Sequence, residues 1–132
     1  MSNKKISMKK LLIITLLVPV FAFTCKQKAA GSTEWLEGKV LRTSCASFVI
    51  QVLNNDAIGT DGWKDMSNKD VSYDNVFNAN NKCEIPNSIK AGDTVKFKIT
   101  AAQKNDCIVC MMYDGPPEAK YDVKEISVVD GQ

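Results

Sequence analysis

Four cysteines, Cys45, Cys83, Cys107 and Cys110, lie downstream of an export leader, and no other feature constrains the fold as tightly. The chain opens MSNKKISMKK, with Lys4, Lys5, Lys9 and Lys10 and no acidic residue, and an apolar run follows, 11-LLIITLLVPVFAF-23. A basic head ahead of a short apolar stretch is a secretory signal, and the run falls short of the ~20 residues a membrane span needs. Export places the cysteines in an oxidising compartment, where pairs persist as disulfides. Four cysteines allow three connectivities.

The stretch 105-NDCIVCMMYD-114 tests those connectivities. Cys107 and Cys110 have the C-x-x-C spacing of redox dithiols and zinc knuckles. Their surroundings, Ile108, Val109 and 111-MMY-113, favour a strand over a helix. In a strand the two cysteines point to opposite faces, with Cα atoms roughly 10 Å apart, beyond the ~7 Å limit for a bridge. Two long-range bridges are therefore expected. Each would add about 3–4 kcal/mol by the chain-entropy estimate, a large share of a typical 5–15 kcal/mol. The competing uses are a redox-active pair at Cys107 and Cys110 and a four-cysteine metal site. The second lacks paired-knuckle spacing, since Cys45 and Cys83 each stand alone.

The fifth cysteine, Cys25, stands where the apolar run ends. The segment 22-AFTC-25 resembles a bacterial lipoprotein signal, in which the cysteine becomes the diacylated first residue. Here Ala22 stands at −3, where Leu is usual, and Thr24 at −1, where Gly, Ala or Ser is usual. Cleavage after 20-VFA-22 is the rival expectation. Lipidation leaves an even number of cysteines in the domain. The resulting division is a signal at 1–24, a lipidated tether at 25–33 and a single domain at 34–132, and the tether sequence 26-KQKAAGST-33 is small and polar.

Removing the leader takes four lysines with it. Seventeen basic side chains become 13 against 15 acidic, so the mature chain has a formal charge of −2 rather than +2. No polybasic patch remains, and nucleic acid is not an expected partner. The chain has no histidine, which excludes Ser-His and Cys-His catalysis and every histidine-containing metal site. No Gly-rich phosphate loop, nucleophile elbow or internal repeat is present. A non-enzymatic protein without a cofactor is expected.

The domain reads as all-β. Residues 35–45 and 46–54 form a hairpin turning near 43-TSCA-46, with Gly38 compatible with a turn. The second of these strands carries Phe48, Ile50 and Val52 on one face and Val49, Gln51 and Leu53 on the other, which suits a central strand. A polar excursion, residues 54–75, follows, pinned by Trp63, Met66 and Tyr73. A weak strand is expected within 75–86. The clearest strand is 93-DTVKFKITA-101, with Val95, Phe97 and Ile99 facing one way. Residues 107–113 read as a further apolar strand, 115-GPPE-118 as a stiff turn, and 121–129 as a last strand with a bulge ahead of Ile126 and Val128.

Five or six short strands predict a small antiparallel barrel held by disulfides, with an open β-sandwich as the alternative. The layout, with 92-GDTVKFKI-99, resembles an oligomer-binding (OB) barrel. That resemblance implies that the end of the first strand lies near the start of the fourth or fifth. Cys45 would then reach Cys107 or Cys110, with Cys83 taking the other. The whole chain is similar to the small lipoproteins of Bacteroidota-type bacteria, which implies a compartment rather than an activity.

The expected function is an envelope lipoprotein, on the periplasmic side or the cell surface, acting as a binding or assembly module. Its partners are the membrane, through Cys25, and an envelope protein or small ligand. The excursion around Trp63 and Tyr73 is the expected contact surface, and deleting residues 56–70 is expected to spare folding. The alternatives are a thiol–disulfide redox protein using Cys107 and Cys110, and a metal-binding module. The aspartates of 56-DAIGTDGWKD-65 lack calcium-loop spacing and read as a solvated turn.

Overall fold

The computed structural model describes residues 32–129. Cys25 and the leader lie outside the described residues. Among the described residues there are seven strands: β1 (Ser32–Thr43), β2 (Phe48–Val52), β3 (Trp63–Asp65), β4 (Asn68–Tyr73), β5 (Val76–Ala79), β6 (Thr94–Ala101) and β7 (Lys120–Val128). Five of them close a barrel in the order β1-β2-β5-β7-β6, and β3 and β4 pair as a separate hairpin. The expected small, disulfide-stapled β-barrel is thus the fold. Four of its five seams are antiparallel, and β5 runs parallel to β7 through Asn78↔Lys120 and Ala79↔Tyr121.

Strand β1 joins the two halves of the barrel. At Gly38 it pairs with Val52 of β2 on one side and Val95 of β6 on the other. A Cβ there would sit 2.6 Å from the Gln51 carbonyl oxygen and within 3 Å of Ile50 and Phe97 side chains. Gly38 therefore marks a close backbone approach inside a strand, not the turn expected from sequence. The turn falls at 44–47, where the β1–β2 hairpin was expected to close.

The interior follows the period-two pattern. Phe48, Ile50 and Val52 of β2 meet Val95, Phe97 and Ile99 of β6, with Phe77 and Tyr121 edge-on between them at 5.4 Å. Val49, on the other face of β2, joins Trp63 and Val76 in a second cluster. That two-sided burial makes β2 central, as its composition predicts. Strand β5 is short but buried along its whole length, so the weak strand of the sequence reading is a core strand. In β7 the pairing passes from Lys96↔Ser127 to Lys98↔Lys124, and Glu125 takes a φ of 51°. This is the expected bulge.

One expected strand is absent. Residues 102–119 leave β6 and enter β7 without joining any sheet. The apolar run 107–113, expected as a strand from its β-favouring composition, forms none. The barrel closes without it, through β6 and β7 pairing directly over Val95–Ala101. The run is left as a strap on the outside.

Candidate functional site

The strap is built from its fastenings upward. Two disulfides hold its outgoing arm: Cys107 to Cys83, within the short 3-10 turn Lys82–Glu84, and Cys110 to Cys45, in the β1–β2 turn. Both are long-range, with partners 24 and 65 positions apart in sequence and Cα atoms 5.6 and 5.5 Å apart. The two cysteines of the C-x-x-C spacing therefore belong to different bridges, the outcome expected from the strand argument although residues 107–110 form no strand. Hydrogen bonds add to the covalent hold. The Cys110 amide donates to the Cys45 carbonyl, and Asn105 donates to the Asn80 carbonyl at 3.1 Å.

The returning arm is fastened by a partly buried charge cluster. Asp114 accepts from the Ser44 hydroxyl at 2.5 Å and the Ser47 hydroxyl at 2.6 Å. Its other oxygen lies 3.3 Å from an Arg42 nitrogen, close enough to pair as ions but poorly aligned to hydrogen-bond. Arg42 also pairs with Asp65 at 3.4 Å and lies over the Trp63 ring at 5.2 Å. Burial alone would raise the Asp114 pKa. The Ser44 and Ser47 hydrogen bonds and the Arg42 charge outweigh it and hold the carboxyl below its ordinary value. At Asp65 burial is likewise outweighed, by hydrogen bonds from Ser67 and by Arg42.

The excursion supplies the rest of the fastening. Trp63 is buried, and its indole N–H donates to the Gly115 carbonyl at 2.9 Å. Thr60 accepts from the Ala119 amide at 3.0 Å, and Met66 lies so close over Gly115 that a Cβ there would meet its sulfur at 2.9 Å. Trp63 and Tyr73, named from the sequence as contact residues, lie in or against the interior. Their rings are 6.1 Å apart, and Tyr73 is only partly exposed. Ile58, from the same excursion, is buried in the main core. Deleting residues 56–70 would remove Ile58 and Trp63 together. The expectation that such a deletion spares folding is therefore corrected, because the excursion is part of the packed body.

Between the fastenings the strap displays its apolar residues to solvent. Ile108 is 93% exposed, Met111 102% and Tyr113 80%, with Val109 and Met112 about half exposed. None of residues 102–114 has a positive φ, and the chain bends at Met111. The result is a segment outside every sheet, fastened on either side, with large side chains exposed to solvent. Burying such residues would normally stabilise a fold by about 1.5–3 kcal/mol each, so their exposure needs an account.

Sequence reasoning missed this site because it assigned the apolar run to a strand of the barrel. One signal pointed the other way. If both cysteines of the run bond to distant elements, the run is tied down from outside and has no need of a sheet. Elsewhere on the surface Trp35 is partly exposed, with Lys98 and Lys96 over its ring at 4.6 and 5.3 Å. Among the described residues no group of three or more His, Cys, Asp or Glu is placed to hold a metal ion, and no helix is long and apolar enough to cross a membrane. No protein-family model matches the chain, and no curated protein matches it in sequence.

Proposed function

We propose that this protein is a lipid-anchored envelope protein that acts by binding, and that the strap at 108–113 is its contact surface. The observation that carries the reading is the exposure of Ile108, Met111 and Tyr113 on a segment that two disulfides and a partly buried ion pair fasten to the body. Met and Tyr are enriched where proteins meet, and loops on a rigid scaffold are where binding concentrates. Fixing the loop beforehand removes part of the ordering cost of association. The barrel, the excursion and the bridges then serve one end, which is to present five apolar side chains without letting them collapse inward. Anchoring through Cys25 is the part of the proposal that rests on the leader sequence alone.

A thiol–disulfide role finds less support. A redox couple at Cys107 and Cys110 would need those two sulfurs to bond to each other, and each is bonded elsewhere.

A photo-crosslinking side chain at Tyr113, in the full chain exported to its own envelope, tests the reading. Adducts are expected from position 113 and not from the exposed Thr94. Equal labelling from both positions, or none from either, overturns it. Metabolic labelling with a fatty acid is expected to mark the chain, and Cys25→Ser is expected to abolish the label and release the protein to the soluble fraction.

A further inference from the structure

The strap carries reactive sulfur as well as apolar surface. Three methionines fall among the described residues: Met111 and Met112 lie side by side on the strap, and Met66 lies against it. Met111 is wholly exposed, whereas Met112 and Met66 are each about half exposed. The Met66 sulfur packs over Gly115, where an added Cβ would meet it at 2.9 Å. All four cysteines among the described residues are locked in bridges, so no thiol there competes for an oxidant. The thioether most open to solvent is therefore that of Met111.

A thioether that gains an oxygen changes from a flexible apolar group into a polar one. In a packed core that change damages the fold. Met111 has no burial to lose, so on the strap the fold is spared. What changes is the property that the binding role uses, the apolar character of residues 108–113.

We propose, building on the binding role above, that Met111 and Met112 are an oxidant-sensitive modification site whose conversion to methionine sulfoxide switches off docking through the strap. The oxidant is a peroxide. The sulfur lone pair attacks one peroxide oxygen and an S–O bond forms as the O–O bond breaks. With hydrogen peroxide, the proton of the transferred oxygen passes to the departing hydroxide, which leaves as water. The sulfur is oxidised by two electrons and the peroxide is reduced by two.

The fastenings keep the effect local. The bridges at Cys107 and Cys110 are already oxidised and hold no thiol for the peroxide to attack. The grip of Ser44, Ser47 and Arg42 on Asp114 contains no sulfur. The strap stays tied to the barrel while its surface turns polar.

The test uses the full chain, exported to its own envelope, with the photo-crosslinking side chain at position 113. Cells are treated with hydrogen peroxide and illuminated, and the methionine-containing peptides are weighed. An added oxygen at Met111 is expected before any at Met66. Crosslink yield is expected to fall about 10-fold or more as Met111 and Met112 are converted, as for the loss of a central interface residue. Met111→Leu with Met112→Leu keeps an apolar surface of similar volume and removes both sulfurs. That double variant is expected to crosslink like the wild type and to go on doing so in peroxide, a resistance that a misfolded chain cannot gain. Met111→Gln, polar without any oxidant, is expected to lower the yield in untreated cells.

Oxidation of Met66 ahead of Met111 overturns the inference. So does an undiminished yield from protein that carries both sulfoxides. Equal loss from the wild type and the leucine variant also overturns it, since the oxidant would then act on the partner rather than the strap. In these three outcomes the binding reading stands. If untreated wild-type protein gives no crosslink from position 113, the binding reading falls and the switch falls with it.

Discussion

The excursion at 54–75 and the strap at 102–119 invert the usual relation between composition and burial. The excursion is rich in Asn, Asp, Gly and Ser, yet it drives Ile58 and Trp63 into the interior. The strap carries the most apolar run of the described domain, yet points it outward. The difference lies in what holds each segment. The excursion has no covalent tie, so its few apolar residues must be buried to keep it in place. The strap is held by two bridges and a partly buried carboxylate, which leaves its apolar side chains free for another use. Hydrophobicity is spent on anchoring only where nothing else anchors.

Removing the covalent hold is the strongest way to break this contrast. Cys45→Ser with Cys110→Ser opens a 65-residue loop and is expected to cost about 4 kcal/mol by the chain-entropy estimate. The smaller bridge, nested inside the first, is worth about 3.5 kcal/mol on the same estimate, and the two will not add fully. Urea unfolding of each double variant measures the losses. A negligible loss for Cys45 and Cys110 would mean that the strap is held without its bridges.

Trp63→Ala strikes the other region. It deletes a buried aromatic and orphans the Gly115 carbonyl, and a loss of about 3 kcal/mol is expected. Because Trp63 touches both segments, proteolytic nicking of the strap is expected to rise with it. Nicking confined to 54–75 would show that the excursion does not buttress the strap.

Asp114 gives a prediction in pH. Its folded pKa lies below the ordinary 3.8, so its contribution is complete above that value and is lost as pH falls through the lower folded value. Hydrogen exchange at the Ser47 amide, which donates to the Ser44 hydroxyl, is expected to accelerate in that acid range. Asp114→Asn is expected to destabilise by about 2 kcal/mol at neutral pH, since it leaves Arg42 with one carboxylate partner instead of two. It should also flatten most of the acid dependence. A residual slope is expected from Asp65, which is shifted the same way.

Ile108→Ser and Met111→Ser sit at the opposite extreme. With side chains almost wholly exposed, each is expected to change stability by less than about 0.5 kcal/mol while abolishing partner capture. A loss of several kcal/mol in either would place that side chain in a packed interior and end the contrast between the two regions.

Much of the barrel was legible in advance. Alternation in Thr94–Ala101 and in Phe48–Val52 is a local signal, and both strands are found where it puts them. The bulge near Glu125 was legible for the same reason, as a break in period two. Strand β5 was harder to read, because four residues buried on both faces carry no alternation. The 3-10 turn and the β3–β4 hairpin were hidden among turn-forming residues whose local preferences fit several conformations.

The site was legible only in part. Parity, export and the reach of an extended chain argued that Cys107 and Cys110 bond to distant partners, and that is a covalent constraint a sequence can state. Which partner each takes depends on how the β1–β2 turn and the segment after β5 come together, and only the closed barrel decides that. Nor can composition say which face an apolar residue turns to the world. Burial is a property of neighbours, and the neighbours of Ile108, Met111 and Tyr113 were excluded when β6 and β7 paired directly and closed the core without them.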